Sequence, residues 1–152
     1  MRRETPVMAT NAPVPRRWNV ELDGIRWLPR MIDKARMRSR GQLGSYLLGH
    51  SPVDHGLLKR AGVSTERFAE MVGAAVDDDA VLAALRSNDG WDEARVRRWS
   101  ERFMTTYRRY IPLWDLDEGY LRPNPLQAFG LAVFRPIEGA TMALVRRVRR
   151  AP

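Results

Sequence analysis

The chain has 152 residues, of which 44% are hydrophobic and 29% charged, and its formal net charge is +8. This length is typical of one domain, and this balance is typical of a globular protein rather than a disordered chain. Cysteine is absent, which excludes disulfides, thiol nucleophiles and iron–sulfur clusters and favours a cytoplasmic location. No apolar stretch is long enough to cross a bilayer, so the sequence predicts no membrane span.

The charge is distributed unevenly along the chain. Residues 1–50 carry a net charge of +6, residues 51–90 a net charge of −3, and residues 91–152 a net charge of +5. If the outer thirds meet in space, they form one basic face, which favours an anionic partner. The acidic middle of a second copy would complement the same face, so a homo-oligomer is an open alternative.

The first elements along the chain are an arm and a helix. Three prolines interrupt residues 1–16, which show no apolar periodicity, and this segment is predicted to be a flexible arm. Pro29 then stands where the first turn of a helix tolerates proline, and Gly41 ends that helix. The predicted buried stripe of this helix consists of Leu28, Met31, Ile32 and Ala35.

Capping signals open the next two helices. Ser51 followed by Pro52 is a cap and first-turn pair, and Gly62 ends the short helix that follows. Ser64 or Thr65 then caps another helix, whose apolar stripe begins a few residues later.

Charge and aromatic spacing mark the elements that follow. Three aspartates at 77–79 stand where the dipole of a helix N-terminus favours negative charge. The longest helix is predicted from about residue 92 to 110, because aromatic and apolar residues recur there at intervals of three and four, and Pro112 stops it. An acidic turn is expected at 115–119, with a spacing that does not fit a calcium loop, and a last helix is expected after Pro136.

These elements predict an all-α fold, or an α fold with very little β structure, in the form of a compact single-domain bundle of about five to six helices. The helical domain is expected to cover residues 17–120. A basic C-terminal extension is expected over residues 121–152.

Several segments carry a family resemblance. They are LPRMIDKAR at 28–36, preceded by RRWNVELDGIRW, then LGSYL at 43–47, SPVDHGLLKRAGVS at 51–64, VLAAL at 81–85 and DLDEG at 115–119. In these segments, over about residues 17–120, the chain resembles the uncharacterised bacterial family called domain of unknown function 5069. The resemblance implies a compact, helix-rich cytoplasmic domain, and it supplies no catalytic residues because the family has no assigned activity. His50 and His55 depart from the family pattern, and residues 121–152 lie outside the resemblance.

Four charged residues lie within two turns of the LPRMIDKAR helix: Arg30, Asp33, Lys34 and Arg36. Arg30 and Lys34 are four positions apart and Asp33 and Arg36 three, so both signs of charge share one flank. One interpretation is a pocket for a phosphate or carboxylate, which Arg30 and Lys34 bind while Asp33 orients one of them. The other interpretation is a salt-bridged helix flank.

His50, Asp54 and His55 form the one group with ligand or acid–base character, because the chain has no other histidine. The two histidines lie on either side of a helix start, and no third ligand beyond Asp54 is evident, so no metal site and no cofactor are predicted. Two surface imidazoles are the alternative to a ligand or acid–base role.

A basic stripe lies beside the aromatic one on the longest predicted helix. It consists of Arg95, Arg98, Arg102 and Arg109. Laid along phosphates, such a stripe would bind nucleic acid in a salt-sensitive way. It is equally a solvated face, since Glu93 and Glu101 dilute the positive charge. No recognised nucleic-acid motif supports the charge argument, so a nucleic-acid partner is possible but not favoured.

The sequence assigns no activity, and the leading hypothesis is a non-enzymatic binding or interaction module. Its basic face would take an anionic ligand or a protein surface. The alternatives are a nucleic-acid-binding protein that uses the arginine stripe, and an enzyme or small-anion-binding protein centred on the LPRMIDKAR helix. A concave pocket at that helix would favour the enzyme or anion site, whereas a convex basic ridge would favour nucleic acid.

Overall fold

The structure, a computed structural model, describes residues 13–121. The chain divides into two units, residues 1–108 and residues 109–152. Each unit is described by itself.

The first unit contains a short antiparallel hairpin that precedes its helices. Strand β1 spans Glu21–Leu22 and strand β2 spans Ile25–Arg26, with Leu22 paired to Ile25. Asp23 and Gly24 connect them, with positive φ angles of 47° and 74°. Aspartate and glycine favour the left-handed conformation that a two-residue hairpin turn requires, so this pair closes the hairpin.

The predicted starts of the first three helices and the predicted ends of the first two are confirmed. Helix α1 spans Leu28–Ser39, α2 spans Pro52–Ala61 and α3 spans Thr65–Ala74. The Ser51 hydroxyl accepts a hydrogen bond from the first turn of α2, and the Ser64 hydroxyl does the same for α3. Helix α2 ends at Gly62, whose φ of 68° is the left-handed conformation that glycine adopts without strain.

Helix α4 spans Asp78–Arg86, and helix α5 spans Glu93–Tyr107. The side chains of Asp77 and Asp92 cap these helices by accepting hydrogen bonds from backbone N–H groups in the first turn. The predicted end of the longest helix at residue 110 is wrong, because α5 stops at Tyr107. Pro112 belongs to the first turn of the next helix, where its missing N–H costs no hydrogen bond.

An aromatic cluster forms one end of the core of the first unit. Phe103 on α5 is fully buried, and its ring centroid lies 5.4 Å from Trp99, 5.7 Å from Trp27 and 4.9 Å from Tyr107. Trp18, which precedes the hairpin, stacks on the same ring at 6.3 Å. The aromatic residues whose spacing predicts the longest helix therefore include two members of the core, Trp99 and Phe103.

The helices pack through the apolar stripes that their spacing predicts. Helix α1 packs on α3, α3 packs on α4, and α2 packs on α5. The buried stripes include Leu28, Met31, Ile32 and Ala35 on α1, Phe68, Met71 and Val72 on α3, and Val81, Leu82 and Leu85 on α4. Within residues 13–121 the chain forms six helices and one two-stranded sheet, which confirms the mostly α fold class.

The described part of the second unit contains helix α6, Ile111–Asp117, and the ring of its N-cap residue Tyr110 stacks on Trp114 at 6.2 Å. The acidic turn expected at 115–119 is wrong over its first three residues, which are helical. The helix expected after Pro136 lies outside the described residues, as do residues 1–12 of the expected arm and residues 122–152 of the expected extension. Across residues 13–121, every helix is too short or too polar to cross a membrane.

Candidate functional site

The charged residues of the LPRMIDKAR helix contact two different sets of partners. Arg30 and Lys34 are buried, with 5% and 3% of their surface exposed. Lys34 contacts the segment between α1 and α2 and also α2, whereas Arg30 contacts that segment, Trp27 and the carbonyl of Arg16. Asp33 and Arg36 are half-buried, and their partners lie before the hairpin and at the start of α4. The four residues therefore do not converge on one open site.

Lys34 forms a buried ion pair with Asp54 on α2. The Lys34 Nζ lies 2.6 Å from each carboxylate oxygen of Asp54 and also donates a hydrogen bond of 2.9 Å to the carbonyl of Leu47. Three acceptors therefore match the three N–H donors of the ammonium group. Asp54 is fully buried, and it accepts further hydrogen bonds from Trp27 Nε1 at 2.7 Å and from the Gly49 N–H at 2.8 Å.

Arg30 lies between two aromatic rings. Its guanidinium carbon is 5.1 Å from the ring centroid of Trp27 and 5.5 Å from that of Tyr46, both within the range of a cation–π interaction. Arg30 Nη1 donates a hydrogen bond of 2.9 Å to the carbonyl of Arg16. The cation is therefore held between α1, the segment after α1 and the chain that precedes the hairpin.

Trp27 joins the buried pair, Arg30 and the aromatic cluster. It is the N-cap residue of α1, with a φ of 68°, a conformation that a bulky side chain rarely adopts and that costs free energy. The indole donates to Asp54 and contacts the ring of Phe103. These contacts hold the strained backbone in place and fix the direction in which α1 leaves the hairpin.

Arg16 is the partner of Asp33. The Arg16 Nε and Nη2 atoms donate to the two carboxylate oxygens of Asp33 at 2.8 Å each, and the Arg16 backbone N–H adds a third hydrogen bond of 2.8 Å. Arg16 Nη1 lies 2.6 Å from Asp78 at the start of α4, and Arg36 binds the other Asp78 oxygen at 2.7 Å. One arginine therefore joins α1 to α4. Arg16 stands in the segment expected to be an arm, and Pro15 beside it is buried.

The Arg16 network shifts the pKa values of its members. Partial burial acts to raise the pKa of Asp78, yet hydrogen bonds from Arg16 and Arg36 outweigh it and hold that pKa below its usual value. The Asp33 hydrogen bonds, above all, raise the pKa of Arg16. Both groups are therefore charged in the folded state.

These contacts support the salt-bridged interpretation of the LPRMIDKAR helix. Each of its four charged side chains is bound to another segment of the chain. A shallow cleft of about 420 Å³ lies elsewhere, between α3 and α4, and it is lined by Arg67, Met71, Ala84, Ser87, Asn88 and Asp89. The anion pocket expected at Arg30 and Lys34 stays a prediction to which this geometry gives no support.

His50, Asp54 and His55 do not converge either. Both histidines are exposed, whereas Asp54 is fully buried. Neither imidazole is among the three groups that bind the Asp54 carboxylate, which are the Trp27 indole, the Lys34 ammonium and the Gly49 N–H. Within residues 13–121 no three carboxylate or imidazole side chains are grouped as metal ligands.

The basic stripe of the longest helix lies on its exposed side. Arg95, Arg98 and Arg102 are all exposed on α5, and we call these three residues the α5 ridge. Helix geometry places them within an arc of about 60°, because they are spaced by three and four residues. Arg109 is exposed but lies beyond the end of α5, in the second unit.

The α5 ridge is engaged weakly within the described chain. Arg95 approaches Asp92 at 3.6 Å in an exposed pair, which contributes little to stability. Arg98 and Arg102 have no hydrogen-bond or ion-pair partner among residues 13–121. The nearest acidic neighbour on the helix is Glu101, which is exposed on the adjoining flank.

Arg86 on α4 and Arg97 on α5, by contrast, are both bound to carboxylates of the same chain. Glu93 accepts hydrogen bonds from Arg86 at 2.8 Å and from Arg97 at 2.8 Å, and both arginines also contact Asp23 in the hairpin turn. The hydrogen bond from Arg86, more than any other contact, lowers the pKa of Glu93 to about 2. These arginines connect the hairpin, α4 and α5, whereas the side chains of Arg98 and Arg102 join no two elements within residues 13–121.

The contacts of three structurally important residues were not expected from the sequence. Arg16 and Asp78 bind residues that are distant along the chain, and no local spacing reveals such pairs. Trp27 stands out in the sequence only as the last residue of RRWNVELDGIRW. Its indole N–H was the available signal, because a buried tryptophan needs an acceptor.

Comparison with known families assigns the chain to a family but gives no activity for it. The model of the family described as Domain of unknown function (DUF5069) matches residues 12–118. This match includes Arg16, the LPRMIDKAR helix, Asp54 and the whole α5 ridge. No curated protein matches the chain. Because the match covers well over half of its length, the chain belongs to the family described as Domain of unknown function (DUF5069).

Proposed function

We propose that the domain is a non-enzymatic binding module that takes an anionic partner on the α5 ridge. The observation that carries the proposal is the exposure of Arg98 and Arg102 without a partner among residues 13–121. A guanidinium group offers five N–H donors that match the oxygens of a carboxylate or phosphate. Two neighbouring guanidinium groups without a partner among the described residues therefore form a recognition surface.

The cations in and beside the LPRMIDKAR helix are poorer candidates. Arg16, Arg30, Lys34 and Arg36 are bound to carboxylates, carbonyls or rings of the same chain. A ligand at these residues would have to break those contacts and replace them, whereas a ligand at the α5 ridge breaks, among residues 13–121, the exposed pair of Arg95 and Asp92. The cytoplasmic location expected from the absence of cysteine is part of this proposal.

A binding assay with two chemically different polyanions tests the proposal. Labelled polyglutamate and labelled duplex DNA are titrated with the full chain at low salt, and anisotropy reports binding. The proposal expects at least one probe to bind, and the double variant Arg98→Gln and Arg102→Gln to bind that probe more weakly. If neither probe binds, or if the double variant binds as well as the parent, the proposal is wrong.

A further inference from the structure

We infer that the anionic partner of the α5 ridge is the phosphodiester backbone of a nucleic acid, which the ridge contacts without reading its sequence. This inference rests on the proposed function and narrows it to one chemistry.

The first argument is the match of charge density. Arg95 and Arg102 are seven positions apart, so the ridge extends for about 10 Å along the helix axis. Duplex DNA carries one negative charge for about every 1.7 Å of its axis, so a ridge of this length faces about six phosphate charges. Three arginines on one flank are thus within reach of several phosphates at once, and each contact releases condensed counterions.

The second argument is what surrounds the ridge. Protein interfaces are built around large apolar or aromatic anchors at their centre. The exposed face of α5 instead carries the small side chains of Ala94, one turn before Arg98, and Thr105, one turn after Arg102. Met104 is 42% exposed, but it lies about 160° around the helix from Arg102. The ridge has charge without an apolar anchor, which suits a phosphate backbone better than a protein surface.

The third argument is the shape of the surface. The ridge is one exposed face of a regular helix, with the opposite face of α5 buried at Val96, Trp99 and Phe103. A convex face has no pocket that could enclose a small anion. Contacts between arginine side chains and phosphate oxygens position a protein on nucleic acid and carry no sequence information.

The test measures how salt affects the affinity for nucleic acid. Two duplex DNA oligonucleotides of unrelated sequence, a duplex RNA, a single-stranded DNA and polyglutamate are titrated with the full chain at several salt concentrations. Three phosphate contacts predict a logarithmic slope of about −2.7, so affinity for duplex DNA should fall about 40-fold between about 50 and 200 mM salt. The two DNA sequences should bind equally, and polyglutamate should bind much more weakly.

The double variant Arg98→Gln and Arg102→Gln should change that slope to about −0.9, which leaves only an approximately 3.5-fold fall over the same salt range. Its matched control is the double variant Arg38→Gln and Arg40→Gln, which removes the same charge from exposed positions at the end of α1. The control should keep the slope of the parent. Unchanged melting temperatures show that both variants are folded.

The outcomes separate the inference from the proposed function. If polyglutamate binds through the α5 ridge at least as tightly as every nucleic acid does, the phosphate inference is wrong and the anion-binding function still stands. If the Arg98→Gln and Arg102→Gln variant binds nucleic acid with the salt slope of the parent, the inference is wrong as well. Preference for RNA, duplex DNA or single strands identifies the source of the phosphodiester and supports the inference in each case.

Discussion

Lys34 and Asp54 are twenty positions apart in the chain, yet the Lys34 Nζ lies 2.6 Å from both carboxylate oxygens of Asp54 in a site closed to solvent. The pair joins α1 to the first turn of α2. It lies at the helix that carries the LPRMIDKAR resemblance, so its role determines whether that helix is architectural or a binding site.

Breaking this pair is predicted to destabilise the fold. Lys34→Met leaves the Asp54 charge buried without a cation, which costs about 3 to 5 kcal/mol of unfolding free energy. Adding Asp54→Asn removes the stranded charge and keeps an acceptor for the Trp27 indole, so the double variant should be more stable than Lys34→Met alone. Denaturant titration measures both. A loss below about 1 kcal/mol for Lys34→Met would show that the pair is solvated.

Asp33→Asn tests the Arg16 contact. The carboxylate accepts three hydrogen bonds from Arg16 at a half-buried position, so the amide should lower the unfolding free energy by about 1 to 2 kcal/mol. The exposed Asp89→Asn is the control, with an expected change within about 0.5 kcal/mol. Equal effects of the two substitutions in a denaturant titration would mean that Arg16 does not hold the start of the domain.

The ionisation of Glu93 is expected to make the free energy of unfolding depend on pH. The pKa of Glu93 is lowered from 4.5 to about 2 in the folded state. Its carboxylate therefore stabilises the fold fully at pH values above the pKa of the unfolded chain, and this stabilisation is lost as the pH falls through the pKa of the folded state. The side chain is 39% exposed, and solvent screening limits the contribution to about 1 kcal/mol or less.

The measurement compares the unfolding free energy of the parent with that of Glu93→Gln at several pH values. The difference should be largest near neutral pH and should shrink between about pH 4.5 and pH 2. A difference that stays constant over this range would contradict the assigned hydrogen bonds to Arg86 and Arg97.

Trp99→Ala tests the aromatic cluster. Trp99 is 7% exposed and meets Phe103 edge to face, so its truncation should cost about 3 to 5 kcal/mol. Met104→Ala on the same helix is the control, because that side chain is 42% exposed, and it should cost less than about 1 kcal/mol. Thermal or denaturant unfolding that finds Trp99→Ala as stable as the parent would contradict the position of this core.

Local chemistry made much of the fold predictable from sequence. Serine caps, first-turn prolines and a terminal glycine act within a few residues of the helix ends they define, so Ser51, Ser64 and Gly62 indicated α2 and α3 correctly. The hairpin was missed, although Asp23 and Gly24 carried its turn signal. Pro112 predicts an end of α5 that is too late, because this proline occupies the first turn of α6 and α5 already stops at Tyr107.

The charged contacts were less predictable, because they depend on tertiary structure. Helical spacing suggested Arg36 as the partner of Asp33. Arg16 binds Asp33 instead, since an arginine arriving from another segment can offer two side-chain donors and a backbone N–H together. Spacing placed Arg95, Arg98 and Arg102 on one exposed face of α5, because exposure and periodicity are properties of one helix, whereas Arg109 lies beyond the end of that helix.

The most direct test of the central claim is an NMR titration of the full chain with duplex DNA, observed at the arginine side-chain Nε–H resonances. The account predicts that the resonances of Arg95, Arg98 and Arg102 shift on addition of DNA, while those of the internally bound Arg16 and Arg30 stay unchanged. Shifts confined to Arg16 and Arg30, or no shift at the α5 ridge, would contradict it.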